Sequence, residues 1–396
     1  MTGINIKYYV KHLFLFIVVN WGCLLFAQKI SPPFIMNTGL LDTTNKETLG
    51  LLSVPGSETI TIYRPGESDT KYNLGCVIFP FKGYLYAQWQ TSLKDEDAPD
   101  THVLYCRSTD GKLWSKPEVL SEGSSSGMCT SGGWWTFKDT LVAYINVWPD
   151  NTDEPRGGFT EYMLSPDGIN WSKRKPVLDN HGKPVKGIFE QDPHHLPDGR
   201  IISAFHLQPG LVVSPFYTDD KRGITGWTKS EFNNLPYEGN VSREIEPGWY
   251  FKRNSNVVMI FRDQKNSFYK LASESTDRGV TWSLPVITNI PDSRAKQSAG
   301  NLPDGTAYQV NCPSGSKTRF PLVILLSKDG YIFDKAYLIR SGGNDLQPKR
   351  YDGKYKREGY SYPKSVVWNG YLYVAYTTNK EDVELTRIPL SAISLN

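Results

Sequence analysis

Five short segments gather the side chains that could do chemistry. In the first, Gln88-Trp89-Gln90-Thr91-Ser92 leads through acidic Asp95-Glu96-Asp97 to His102, a group able to give or take a proton near neutral pH. In the second, Glu190-Gln191-Asp192-Pro193-His194-His195 precedes His206. Adjacent histidines in a strand point to opposite faces, so His194 and His195 cannot serve one ligand together. The third holds Arg243, Glu244, Glu246, Tyr250 and Arg253, then Phe261-Arg262-Asp263. Arginine offers a planar fork to a carboxylate, and Arg262 at the end of an apolar run needs an acidic partner in any case. The fourth runs from Arg294 through Gln297 to Asn301, and the fifth is Glu358-Gly359-Tyr360-Ser361-Tyr362-Pro363. Trp134-Trp135 offers a stacking platform for a sugar ring or a piece of core. Histidine, tyrosine and arginine together suit proton transfer beside an anionic group. Glu190, Asp192, Glu244 and Glu246 are the candidates for two carboxylates facing each other across a glycosidic bond. No cysteine spacing reads as a metal motif, and the His194 cluster lacks a specific ligand pattern.

A repeat must position these segments. Ser108-Thr109-Asp110-Gly111-Lys112-Leu113-Trp114 recurs as Ser165-Pro166-Asp167-Gly168-Ile169-Asn170-Trp171 and as Ser275-Thr276-Asp277-Arg278-Gly279-Val280-Thr281-Trp282. Worn copies stand at Thr218-Asp219 with Gly226-Trp227, and at Ser327 to Gly330 with Phe333. Serine caps, aspartate accepts backbone N–H groups and glycine supplies the left-handed turn, so these aspartates are structural. The repeat averages about 55 residues, enough for four short strands, which is one blade of a β-propeller. Short apolar runs joined by Lys82-Gly83, Asp198-Gly199, Asp304-Gly305 and Asn369-Gly370 support strands throughout. The fold class expected is all-β, a propeller of seven blades with six as the second choice. Residues near Gly50 to Tyr63 are expected to close the ring beside Val383 to Ile388.

Lys7 and Lys11 before the apolar run Leu13 to Phe26, then Ala27, have the order of a secretory signal peptide. Residues 1–27 are read as this leader and 28–396 as one propeller domain, secreted or periplasmic, with no membrane insertion after cleavage. The formal net charge of +3 carries no basic tail, which argues against nucleic acid as a partner. Cys76, Cys106, Cys129 and Cys312 could pair in an exported protein or lie buried as free thiols.

Asp boxes at blade spacing resemble those of the sialidase-like propeller superfamily. Glu190 to His194, Glu246 to Tyr250, Gln297 to Gly305 and Asn379 to Pro389 are similar to segments of propeller enzymes acting on uronate-containing glycans, among them ulvan lyases, rhamnose–glucuronate lyases and related rhamnosidases. That resemblance implies β-elimination at a uronic acid in a polysaccharide or oligosaccharide, with a sugar or water as leaving group. It makes His102 or His194 the base or acid, Tyr250 its partner and Arg262 or Arg253 the neutraliser of the carboxylate. Gln90, Trp135, Gln191, Arg243, Arg253, Arg294, Gln297, Asn301 and Tyr360 are the expected substrate-binding residues. The chemistry requires no cofactor and leaves room for a structural Ca²⁺ or Zn²⁺. Sialidases proper use three arginines, a Tyr–Glu nucleophile pair and an early Arg-Ile-Pro motif; Tyr63-Arg64-Pro65 lacks the isoleucine, and the sequence assigns no Tyr–Glu pair. A glycoside hydrolase of rhamnosidase or sialidase type is the first alternative, and a non-catalytic glycan-binding propeller the second.

Overall fold

Turn chemistry sets where strands end. Ser108 Oγ donates to Asp110 Oδ1 (3.0 Å) and accepts the Gly111 N–H (2.9 Å), while Asp110 Oδ1 accepts the N–H groups of Lys112 and Leu113. The same pattern recurs at Ser165–Asp167, Ser275–Asp277 and Ser327–Asp329. At the worn copy the duty moves one residue along. Asp220 accepts the Arg222 N–H, and Asp219 turns outward to a bidentate pair with Arg200.

The computed structural model describes residues 31–123, 127–149, 157–191 and 193–396. The expected leader and Asp192 lie outside the described residues. Four-stranded antiparallel sheets follow one another along the chain. Blade I is Tyr72–Phe81, Tyr84–Ser92, His102–Ser108 and Glu118–Ser121, and blade II is Gly127–Phe137, Thr140–Pro149, Phe159–Ser165 and Lys175–Pro176. Blade III pairs both Gly187–Phe189 and His194–His195 with Ile201–Leu207, then adds Val212–Thr218 and Thr228–Lys229. Blade IV is Glu244–Phe251, Val257–Asp263, Tyr269–Ser275 and Val286–Pro291, and blade V is Ser298–Asn301, Ala307–Asn311, Leu322–Ser327 and Lys335–Arg340. Blade VI is Tyr360–Trp368, Tyr371–Thr378 and Asp382–Pro389, completed by Glu58–Tyr63 from the other end of the chain. Thr59 stands opposite Thr386 and Ile60 opposite Leu385, so the ring closes where the sequence placed the closure.

Among the described residues the blades number six, not seven. The expectation of seven counted chain that builds no blade. Of the described residues before Glu58, Ile35–Met36 lies parallel to Ile332–Phe333 and Ser53 bridges Leu338, and a long connection separates Arg340 from Tyr360. The apolar core is likewise not central. It lies in six seams between neighbouring blades, for example Trp134, Tyr86 and Val103 between I and II, and Trp249, Met259 and Ile202 between III and IV. Cys76, Cys106, Cys129 and Cys312 are buried free thiols. Among the described residues no helix is long and apolar enough to cross a membrane.

Candidate functional site

Every blade contributes its first strand to the channel wall, and these strands run in one direction. Their N-terminal ends therefore form one mouth and their C-terminal ends the other. The first mouth is a cleft of about 380 Å³ lined from all six blades, by Gly75, Ser131, Gln191, Glu246, Lys296 and Tyr362 among others. The second is lined by later residues of the same strands, including Phe79, Trp135, His194, Asn301 and Val367. Gln191 belongs to both and plugs the channel between them. Its amide donates to Ser131 O (2.7 Å) and accepts from Lys296 Nζ (2.9 Å).

In four blades the first strand bulges at the level of the first mouth. Register shifts fall between Leu74 and Val77, Ser131 and Gly133, Ile245 and Gly248, and Ser361 and Lys364. In blades I and II glycine takes the left-handed position, Gly75 at φ +68° and Gly133 at φ +90°. In blades IV and VI it is taken by Glu246 and Tyr362, both at φ +57°. Side chains pay a steric penalty there, and such strain gathers at functional sites. The two bulges aim these side chains at each other, and the Tyr362 hydroxyl donates to Glu246 Oε1 at 2.5 Å.

Cations surround this pair. Arg262 Nη1 lies 3.1 Å from Glu246 Oε2 and 3.4 Å from the Tyr362 hydroxyl. Lys296 Nζ and Arg319 Cζ stand 5.5 and 5.4 Å from the Tyr362 ring centroid. Lys296 also pairs with Glu190 (2.6 Å), and Lys380 with Glu96 (2.5 Å) at the same mouth. Burial alone would raise the Glu246 carboxyl, but Arg262, Lys296, the Tyr362 hydroxyl and His206 bring it down to about 2. Burial, then the Glu246 charge, pushes the Tyr362 phenol well above its ordinary value. The free site thus holds a neutral phenol on an ionised carboxylate.

The residues named from sequence divide between several places. Gln90 and Gln191 line the first mouth, and Arg262 grips Glu246 beside it. Trp135, His194 and Asn301 line the second mouth, and Asn301 is bonded to the Phe251 main chain on both sides. His102 is half-buried, with Nδ1 2.9 Å from Asp100 O, and belongs to neither mouth. Arg243 forms a bidentate pair with Asp263, Arg253 lines a separate pocket near Asp304, and Arg294 bonds Gln264 and Asn266. Gln297 spends its amide on Glu246 O, Ile260 O and Lys270. Two expectations are corrected by packing. Tyr250 is fully buried in the seam between blades IV and V, where its hydroxyl donates to Gly330 O, so it meets no ligand in the channel. Tyr360 is buried in the seam between V and VI with its hydroxyl on Ser341 O. Arg64 pairs with Asp382 on the outer strands of blade VI rather than serving the channel. Among the described residues no group of three or more His, Cys, Asp or Glu side chains could hold a metal.

The sequence reading missed the Tyr362–Glu246 pair itself. A signal was present in Glu246-Pro247 and Tyr362-Pro363, because a proline inside a strand marks a bulge.

Known proteins show the same architecture. A 19% identical sialidase superposes with a TM-score of 0.55 over 90% of this chain, which spans only 35% of that protein. A protein of unknown function from Dyadobacter fermentans, 16% identical, superposes at 0.65, with 85% of this chain and all of that one covered. The K499G mutant of NanB sialidase from Streptococcus pneumoniae, 13% identical, superposes at 0.63, covering 85% of this chain and 71% of that one. The leech intramolecular trans-sialidase, 12% identical, gives the same score and coverage. No curated protein sequence matches. Residues 83–374 match the BNR repeat-like domain, and the chain belongs to that family.

Proposed function

We propose that the protein is a glycan-processing enzyme that hydrolyses a glycosidic bond with retention, on a sugar carrying a carboxylate. Tyr362 is the nucleophile and Glu246 its base. The observation that carries this reading is the 2.5 Å bond from the Tyr362 hydroxyl to Glu246, built on two strained bulges and ringed by Arg262, Lys296 and Arg319. A carboxylate nucleophile would meet an anionic sugar as a like charge. A phenol arrives neutral and gains charge only as its proton leaves for Glu246. Held at about 2, Glu246 is a weak base in the free enzyme. A substrate carboxylate that draws Arg262 and Lys296 toward itself raises the proton affinity of Glu246 at the moment it is needed. Asp97, which lines the same mouth, supplies the proton for the leaving oxygen. Fold similarity to sialidases is compatible with this chemistry and does not by itself assign it.

Elimination at a uronate is the second reading, since Tyr362, His206 and Arg262 include the groups it needs. It ranks second because the Tyr362 hydroxyl already donates to Glu246, the arrangement of a nucleophile with its base. A panel of fluorogenic glycosides of neutral and acidic sugars, run beside uronate-rich glycans with ultraviolet detection of a 4,5-unsaturated product, separates the two. Fluorophore release that vanishes in Tyr362→Phe supports hydrolysis, and ultraviolet absorbance without it supports elimination.

A further inference from the structure

A glutamate in left-handed conformation inside a strand has to be held there. The bulge between Ile245 and Gly248 withdraws both main-chain groups of Glu246 from the ladder. Side chains from two other parts of the ring take them instead. Gln297, just ahead of blade V, donates to Glu246 O at 2.7 Å. The Glu246 N–H donates to His206 Nε2 at 3.1 Å, from the second strand of blade III. Gln297 is fixed by further bonds to Ile260 O and Lys270 Nζ. His206 is 7% exposed and lines the first mouth.

We propose that His206 is a positioning residue that holds Glu246 in its bulge by accepting the main-chain N–H on a neutral ring, and that protonation of the ring releases the carboxylate from Tyr362. The inference rests on the reading that Glu246 serves Tyr362. A backbone amide can only donate, so Nε2 must carry the lone pair and Nδ1 the proton. An imidazolium bears N–H on both nitrogens and would set two donors face to face across that contact. The charged groups facing the ring are Glu190 from blade III, Glu246 and Arg262 from blade IV and Lys296 from the approach to blade V. The carboxylates favour protonation and the cations oppose it. Burial opposes it most, so the ring stays neutral below the ordinary histidine value. The bond is therefore intact at neutral pH and is lost as pH falls through that lowered value. An amide side chain at 206 would accept at every pH; histidine makes the support titratable.

Imidazole ¹⁵N spectra of the full chain test this without a substrate, the His206 signal being assigned by its absence in His206→Gln. The expected result at pH 7 is an unprotonated Nε2 and a protonated Nδ1, with a titration midpoint below that of an exposed histidine. A protonated Nε2 at pH 7 overturns the proposal. In kinetics on a cleaved glycoside, His206→Ala should lower kcat at least tenfold with KM within twofold. His206→Gln should recover most of kcat and lose the acid-side inflection of the pH profile. An acid limb identical in His206→Gln and wild type overturns the proposal. Failure of the underlying reading looks different: Tyr362→Phe and Glu246→Gln would keep full activity while the His206 tautomer stays as described.

Discussion

Replacing Glu246 by glutamine removes one charge from a closed electrostatic set, and the structure sets the size of the effect. Its carboxyl sits at about 2 against an ordinary 4.5, because Arg262, Lys296 and the Tyr362 hydroxyl outweigh the cost of burial. At 1.36 kcal/mol per tenfold, that difference corresponds to about 3 kcal/mol of folding stability at neutral pH. The folded value lies below the unfolded one, so the contribution is complete above about pH 4.5 and is lost as pH falls toward 2. Glutamine keeps the volume and can still accept from Tyr362, but it leaves Arg262 without a counter-charge. In the compact unit Pro32–Asn396, with about 2.1 cal/mol/K of unfolding entropy per residue, the loss translates to a Tm lower by roughly 4 °C. Calorimetric melts at pH 7 and pH 3 measure it. The gap should be about 4 °C at pH 7 and roughly half that at pH 3. Equal melting points at pH 7, or a gap that does not narrow in acid, would refute the claim that this ion set fixes the carboxylate.

Tyr362→Phe should cut kcat by at least about 10³-fold, read with a fluorogenic glycoside, because it deletes the attacking atom while keeping the ring. Gly133→Ala should destabilise by about 1–3 kcal/mol in denaturant melts, since the new methyl would stand 2.7 Å from Gln191 O at a backbone angle that suits glycine. The same change should weaken substrate binding, as Gln191 is the plug to which Lys296 bonds. Asp167→Ala should lower Tm and leave kcat and KM at wild-type values, because the side-chain bonds of that aspartate, to Ser165, Ile169 and Asn170, lie within its own turn.

What could be read from the sequence was whatever is local. The Asp boxes are turns whose donors and acceptors lie within a few residues, so Ser108–Asp110 and its copies showed both the strands and their spacing. The closure by Glu58–Tyr63 followed from the need to finish a ring. Blade number did not follow, because spacing cannot separate blade from connection, and the described residues before Glu58 build no blade. The site was only partly legible for a related reason. Glu246 stood among the carboxylate candidates and Tyr362 within the fifth polar segment, but they are 116 residues apart and meet only through two bulges. Tyr250 entered the expected site through the resemblance to uronate-directed enzymes; alternation along the strand sends it to the seam instead. Gln297 was expected to touch substrate and instead braces Glu246. Here polarity near the channel identified the neighbourhood, and only tertiary register separated the groups facing the cleft from those supporting them.

The most direct test of the account is mass spectrometry of the peptide containing Tyr362 after exposure to a fluorinated, carboxylate-bearing glycosyl fluoride, which slows turnover of a covalent intermediate. The expected result is one sugar attached to Tyr362 in the wild type and none in Tyr362→Phe. Turnover without any adduct on Tyr362, accompanied by a 4,5-unsaturated product from uronate glycans, would contradict the account and return the site to elimination chemistry.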